Sequence, residues 1–218
     1  NTQPDQIPEL NSFLEEWGMS VGSGVMFELS TDHLYNNTTP FWSAAEYVDE
    51  DYSSVITNKS IPVSVMQSRP IEILKESESI KVLLESTENS GIYPVDAAEG
   101  WQPEESDLTG PVTLAAVSTK QVSGVDDVSN VAVVGSAAAF ASSLLSSTSV
   151  NNSAYFINMF NTLAEREDTV LIEAKTLGGA TMSVTTNVSI PLGVVFTIVL
   201  PLLILVTGLV IWIRRRNR

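Results

Sequence analysis

Val131-Ala132-Val133-Val134-Gly135-Ser136 is the stretch on which the fold turns. Its four apolar residues read as a strand covered on both faces, and the small residues that follow it, through Phe140, Leu144 and Leu145, read as a helix. A continuous apolar strand that turns into a helix is the habit of a central strand in an α/β layer. Gly135 and Ser136 would then lie at a helix N-terminus and at the carboxyl end of a strand, where such folds hold anions. The plainer reading of the pair is a tight turn that needs small residues.

Working outward, Ile7, Leu10, Phe13, Leu14 and Trp17 have the three-and-four spacing of an amphipathic helix, ended by Gly18. A glycine-interrupted strand follows from Val21 to Leu29. Residues 31–60 are polar, with Tyr35, Phe41, Trp42, Tyr47 and Tyr52 scattered through them, and read as a long loop carrying a short helix near Ala44 to Tyr52. Ile61 to Met66, Ile80 to Glu85 and Val112 to Ser118 read as strands, and Asn89 to Pro111 as a surface excursion. A turn is expected from Ser123 to Asp127. Beyond the central strand, Ser153 to Ala164 reads as a helix that buries Phe156, Ile157, Phe160 and Leu163, with Asn152 or Ser153 as its N-cap. A last strand is expected from Thr169 to Glu173. The expected organisation is an α/β domain over 1–176, a linker over 177–189, a membrane span over 190–213 and a basic tail over 214–218.

The span is the plainest signal. Ile190 to Ile213 carries no charged side chain. As a helix it would reach roughly 36 Å at about 1.5 Å per residue, enough to cross a hydrocarbon core of about 30 Å. Arg214, Arg215, Arg216 and Arg218 follow and set an expected topology, with the tail in the cytoplasm and the N-terminal domain outside. Taken at 100° per residue, Gly193, Thr197, Pro201, Ile204, Gly208 and Ile211 gather on one face, where the small residues among them let another helix approach closely. Pro201 should also kink the helix and free a carbonyl that needs local compensation.

Composition narrows the function. All 26 acidic residues precede the span, against seven of the 11 Lys and Arg, so residues 1–189 carry a formal charge of −19. Such a domain has no electrostatic footprint for nucleic acid and is repelled by anionic headgroups. The chain has no cysteine, hence neither disulfides nor thiol chemistry, which points to a bacterial or archaeal protein. His33 is the single histidine, there is no Gly-x-Ser-x-Gly elbow and there is no P-loop. The acidic groups Asp49-Glu50-Asp51 and Asp96, Glu99, Glu104, Glu105 and Asp107 lack any diagnostic cation-binding spacing and read as solvated faces. No cofactor is expected.

Several segments together resemble a known family. They are Pro8-Glu9-Leu10-Asn11-Ser12-Phe13-Leu14-Glu15-Glu16-Trp17-Gly18, Val131 to Ser136, Asn158 to Glu165, and Leu200-Pro201-Leu202-Leu203 through Gly208 to Arg216. They are similar to the GldG-type auxiliary components of ABC transporters, although Thr162 stands where that family has Trp and residues 31–60 are not distinctive. The resemblance implies an open, mostly parallel sheet flanked by helices, similar to class I glutamine amidotransferases but without their catalysis. It implies a non-catalytic, membrane-anchored auxiliary subunit, with a permease and, through it, a separate ATPase subunit as partners. It further implies a first span and more of the domain before Asn1. A cell-surface receptor or adhesion protein with a C-terminal anchor is the competing reading.

Overall fold

In the computed structural model every strand pair among the described residues is antiparallel. The described residues are 6–35, 39–121, 124, 127–165 and 195–216. The expected open, mostly parallel α/β sheet is therefore overturned. Helix α1 (Pro8–Glu16) leads into β1 (Met19–Val21) and β2 (Val25–Glu28), followed by β3 (Trp42–Tyr47), α2 (Glu50–Ser53), β4 (Val63–Met66) and β5 (Ile71–Ile73). Then come β6 (Ile80–Glu85), β7 (Ser90–Tyr93), β8 (Thr113–Gln121), β9 (Val128–Val134), α3 (Ser142–Leu145) and α4 (Asn152–Leu163). A parallel pair needs a crossover of a dozen or more residues, usually through a helix. Here α2 and α3 have four residues each, and only residues 122–127 separate β8 from β9.

One sheet has the order β4-β3-β6-β8-β9, while β1 pairs with β5 and β2 with β7. The most deeply buried strand of this five-stranded sheet is β8, in which Leu114 through Ser118 are all buried. The period of two along this strand feeds two cores. Leu114, Ala115 and Val117 join Leu83, Leu84, Tyr155, Phe156 and Met159 on one side, while Ala116 meets Met19 and Ile71 on the other. The β6–β8 ladder passes over Leu83 and Leu114, and these slips turn both leucines, each 0% exposed, into the core.

The apolar run Val131–Val134 belongs to β9, at the edge of the sheet and only half-buried, instead of at its centre. It is apolar for a different reason: Val131 and Val133 pack towards the Met19 core, Ala132 and Val134 towards the Tyr155 core. The expected loop over 31–60 contains β3, the second strand of the sheet, where Ser43, Ala44 and Ala45 are small enough to lie buried but carry little β signal. The expected glycine-interrupted strand is two strands, β1 and β2, in different sheets. Helix α1 forms as expected, with Gly18 at φ +76, but only Leu14 of its residues is buried. The expected strand Thr169–Glu173 and the linker lie outside the described residues, and the turn from Ser123 to Asp127 does so in part.

The outer edge of β4 is closed by one backbone group and two side chains instead of by another strand. Pro62 O accepts from Asn151 N at 2.8 Å. Ser64 N donates to Asn152 Oδ1 at 2.8 Å, and Asn152 Nδ2 donates to Ser64 O at 2.8 Å and to Ala139 O at 2.9 Å. Two residues further on, Met66 N donates to Ser136 Oγ at 3.3 Å, which donates to Met66 O at 2.6 Å. Outward-facing backbone groups recur every second residue along a strand, so three residues of one stretch satisfy positions 62, 64 and 66 in turn. The same device recurs at β1, where Val21 N donates to Asn11 Oδ1 at 3.2 Å and Asn11 Nδ2 donates to Val21 O at 3.4 Å.

The second compact unit, Thr176–Arg218, is described from Val195 onward. A π-helical turn over Val195–Val199 continues into α5 (Leu200–Arg216). Thr197–Arg216 is long and apolar enough to cross a membrane. Pro201 falls in the first turn of α5, directly after the π turn, which is where a missing N–H can be absorbed without breaking the helix. The π turn takes an extra residue, so the regular 100° alignment of Thr197 with Gly208 does not hold through it. Pro201, Ile204, Gly208 and Ile211 lie on regular helix and keep one face. A Cβ added at Gly208 meets nothing within 4 Å. Arg214, Arg215 and Arg216 close the last turn, with the Arg216 guanidinium 5.3 Å from the Trp212 ring. Gly193 and Arg218 lie outside the described residues.

Candidate functional site

The first candidate, the Gly135–Ser136 turn, is filled by structure. Gly135 N donates to Leu114 O at 2.8 Å, and Arg69 N donates to Gly135 O at 2.9 Å. A Cβ at Gly135 would stand 2.1 Å from Arg69 O, so glycine is required by close backbone approach. The Ser136 hydroxyl is spent on Met66, and the helix expected after it through Phe140, Leu144 and Leu145 is a four-residue 3₁₀ turn, Ala137–Phe140, followed by the short α3. The tight-turn reading accounts for both residues.

His33 lies in a polar recess of about 430 Å³ with Glu46, Glu50 and Lys59. Its Nε2 is 3.3 Å from Glu46 Oε1, whereas the Ser136 hydroxyl donates to Met66 O, so the single histidine and this serine serve separate contacts. The acidic run at 49–51 is also structural. Asp49 caps α2 by accepting from Asp51 N and Tyr52 N, and Lys81 bridges Asp49 at 3.3 Å and Asp51 at 2.8 Å. The hydrogen bond to Asp51 holds the Lys81 ammonium above its ordinary pKa. Nearby, burial pushes up the phenols of Tyr47, Tyr52 and Tyr155, the last donating to Leu83 O at 3.2 Å. No cluster of three or more His, Cys, Asp or Glu among the described residues is placed to hold a metal ion.

What the sequence did not single out is a cleft of about 590 Å³ where β2, β7 and the segment after β7 meet residues before β3. Its wall is a relay of rings. Phe41 meets Tyr93 edge to face at 5.5 Å and 88°, Tyr93 meets Trp101 at 5.0 Å and 89°, and Trp101 meets Phe27 at 5.7 Å and 64°. Such tilted arrangements set the positive edge of one ring against the negative face of the next and fix all four. Phe27 is buried beneath, and Phe41, Tyr93 and Trp101 are half-buried. Pro40, Pro103 and Val25 complete the apolar lining, with the exposed amides of Gln67 and Gln102 beside them.

Two backbone features shape this cleft. Gln67 sits at φ +50, a region that costs a side-chain-bearing residue, and is pinned there by donating to Phe41 O at 2.7 Å. Gly91 lets β7 approach closely, since a Cβ there would lie 2.2 Å from Asp107 O and 2.7 Å from the Phe27 ring. The underlying turn is secured by Glu28, 0% exposed, whose carboxylate accepts from Ser30 N at 2.8 Å, Thr87 N at 3.1 Å and the Thr87 hydroxyl at 2.9 Å.

No family model and no curated protein matches the chain. Among solved structures, the mmIFT52 N-terminal domain is similar to it, with a TM-score of 0.52 at 14% identity, over 78% of this chain and 64% of that one. At that identity the likeness is one of fold, and the match spans just under two thirds of the neighbour's length. None of these comparisons bears on the resemblance to GldG-type components.

Proposed function

We propose that the chain is a non-catalytic, membrane-anchored accessory subunit of an ABC-type transporter. On this reading the domain lies outside the membrane, and α5 packs against the helices of a separate permease. The observation that carries it is the pairing of a strongly acidic domain with a C-terminal apolar helix that ends in arginines. The sequence resemblance supplies the transporter; the antiparallel fold adds nothing to that part, and the amidotransferase-like architecture is not retained. Purifying the full-length protein from detergent and identifying what accompanies it is the test. A permease and its ATPase should co-purify; their absence from repeated preparations would defeat the reading. The aromatic cleft favours a second reading, a surface receptor anchored by the same helix, which predicts partners that are not transporter subunits.

A further inference from the structure

We infer that the aromatic cleft is a docking groove for an extended, basic, proline-containing segment of a partner protein. This goes beyond the accessory reading and does not need it, because the groove belongs to the first compact unit alone.

The shape of the wall is the first ground. Phe41, Tyr93 and Trp101 stand nearly perpendicular in succession, so the surface is stepped, and flat apolar rings such as proline can lie in the steps. Aromatic-lined grooves suit polyproline-type segments because these are already extended and lose little entropy on binding. Such a segment also leaves its carbonyls without internal hydrogen bonds. The amides of Gln67 and Gln102, exposed beside the rings, are donors for them.

Charge selects the occupant. From Val82 to Thr119 the chain has seven acidic residues and no basic one. Glu99 and Glu104 flank the lining segment of Trp101, Gln102 and Pro103, and Asp96, Glu99, Glu104 and Glu105 are exposed without an ion pair among the described residues. A second copy of this domain, nucleic acid and anionic lipid are all repelled by such a surface. A neutral oligosaccharide would gain from the rings but leave the carboxylates unused. A Lys- or Arg-bearing segment uses both, because cations are also drawn to the faces of Tyr and Trp.

The experiment uses the full-length chain in detergent and a fluorescein-labelled peptide of alternating Pro and Arg, followed by anisotropy. Parallel arms replace Arg by Glu, replace Pro by Gly, or offer maltohexaose as competitor. Saturable binding of the Pro-Arg peptide should weaken about tenfold or more in Trp101→Ala, as for a buried aromatic anchor. It should weaken several-fold in the doubly substituted Asp96→Lys, Glu99→Lys protein, whose changes are at exposed positions and should leave the circular dichroism spectrum unchanged. Added salt should also weaken it. The inference is overturned if the Glu peptide binds equally well, if the Pro-to-Gly peptide loses nothing, if maltohexaose displaces the peptide and binds more tightly, or if the charge-reversed protein binds unchanged. Failure here leaves co-purification with a permease unaffected, so the two proposals fail separately.

Discussion

Removing the Asn152 side chain should cost the domain a large part of its stability. In Asn152→Ala the Ser64 N–H, the Ser64 carbonyl and the Ala139 carbonyl lose partners at 2.8, 2.8 and 2.9 Å in a place where Asn152 is 0% exposed. A buried group left unsatisfied costs about 1–3 kcal/mol. Three of them give about 3 kcal/mol as a lower figure, against a typical total of about 5–15 kcal/mol. Asn152→Asp sharpens the test. A carboxylate keeps the acceptor for Ser64 N–H but sets negative charge against two carbonyls, so the introduced group's pKa is raised in the folded state. Its deficit should be smallest at pH below about 4, where the acid is neutral in both states and can donate once. The deficit should grow as pH rises through and beyond the ordinary carboxyl range. Urea unfolding of the full-length protein in mild detergent, followed by tryptophan fluorescence at several pH values, reads both effects. A loss below about 0.5 kcal/mol for the alanine variant, or a pH-independent deficit for the aspartate variant, would refute the edge-closing role.

Other outcomes follow from the same geometry. Gly135→Ala should destabilise by more than about 2 kcal/mol in the same unfolding assay, because its Cβ would meet the Arg69 carbonyl at 2.1 Å. In alkaline titration monitored at the phenolate band, Tyr47, Tyr52 and Tyr155 should ionise above the ordinary range. Because their pKa values are raised on folding, stability should be full below about pH 10 and fall as pH climbs beyond it, with a shallower fall in Tyr155→Phe. In α5, Gly208→Leu should reduce recovery of a co-purifying permease, while Val206→Leu, on the opposite face, should not; equal recovery would remove Gly208 from the contact.

The helices and most strands were legible in the sequence, and their assembly was not. Val131–Val134 has the composition of a central strand, but an edge strand covered on both faces has it too, and only the register distinguishes them. In α4 the apolar spacing puts Phe156, Ile157, Phe160 and Leu163 on the inward face, yet Ile157 and Phe160 are 46% and 57% exposed. The helix is rotated towards Asn152, Tyr155, Phe156 and Met159, and Asn158 Nδ2 donates to Tyr52 O at 2.8 Å. Periodicity counted from apolar residues is blind to an asparagine that is buried because it is bonded. The cleft was illegible for another reason: Phe41, Tyr93 and Trp101 come from three separate segments, and no motif links them.

Strand β4 ends at Met66, but the groups that close its outer edge arrive with Ser136, Asn151 and Asn152. During synthesis, some seventy residues must be added after β4 emerges before its first closing contact exists. For that interval a nascent chain displays three free acceptors in a row, a template for pairing with a neighbouring polypeptide. A product truncated before Ser136 keeps that template permanently. Premature termination in the middle of this chain therefore yields a sticky fragment, and the last quarter of the domain serves as the guard of the part made before it.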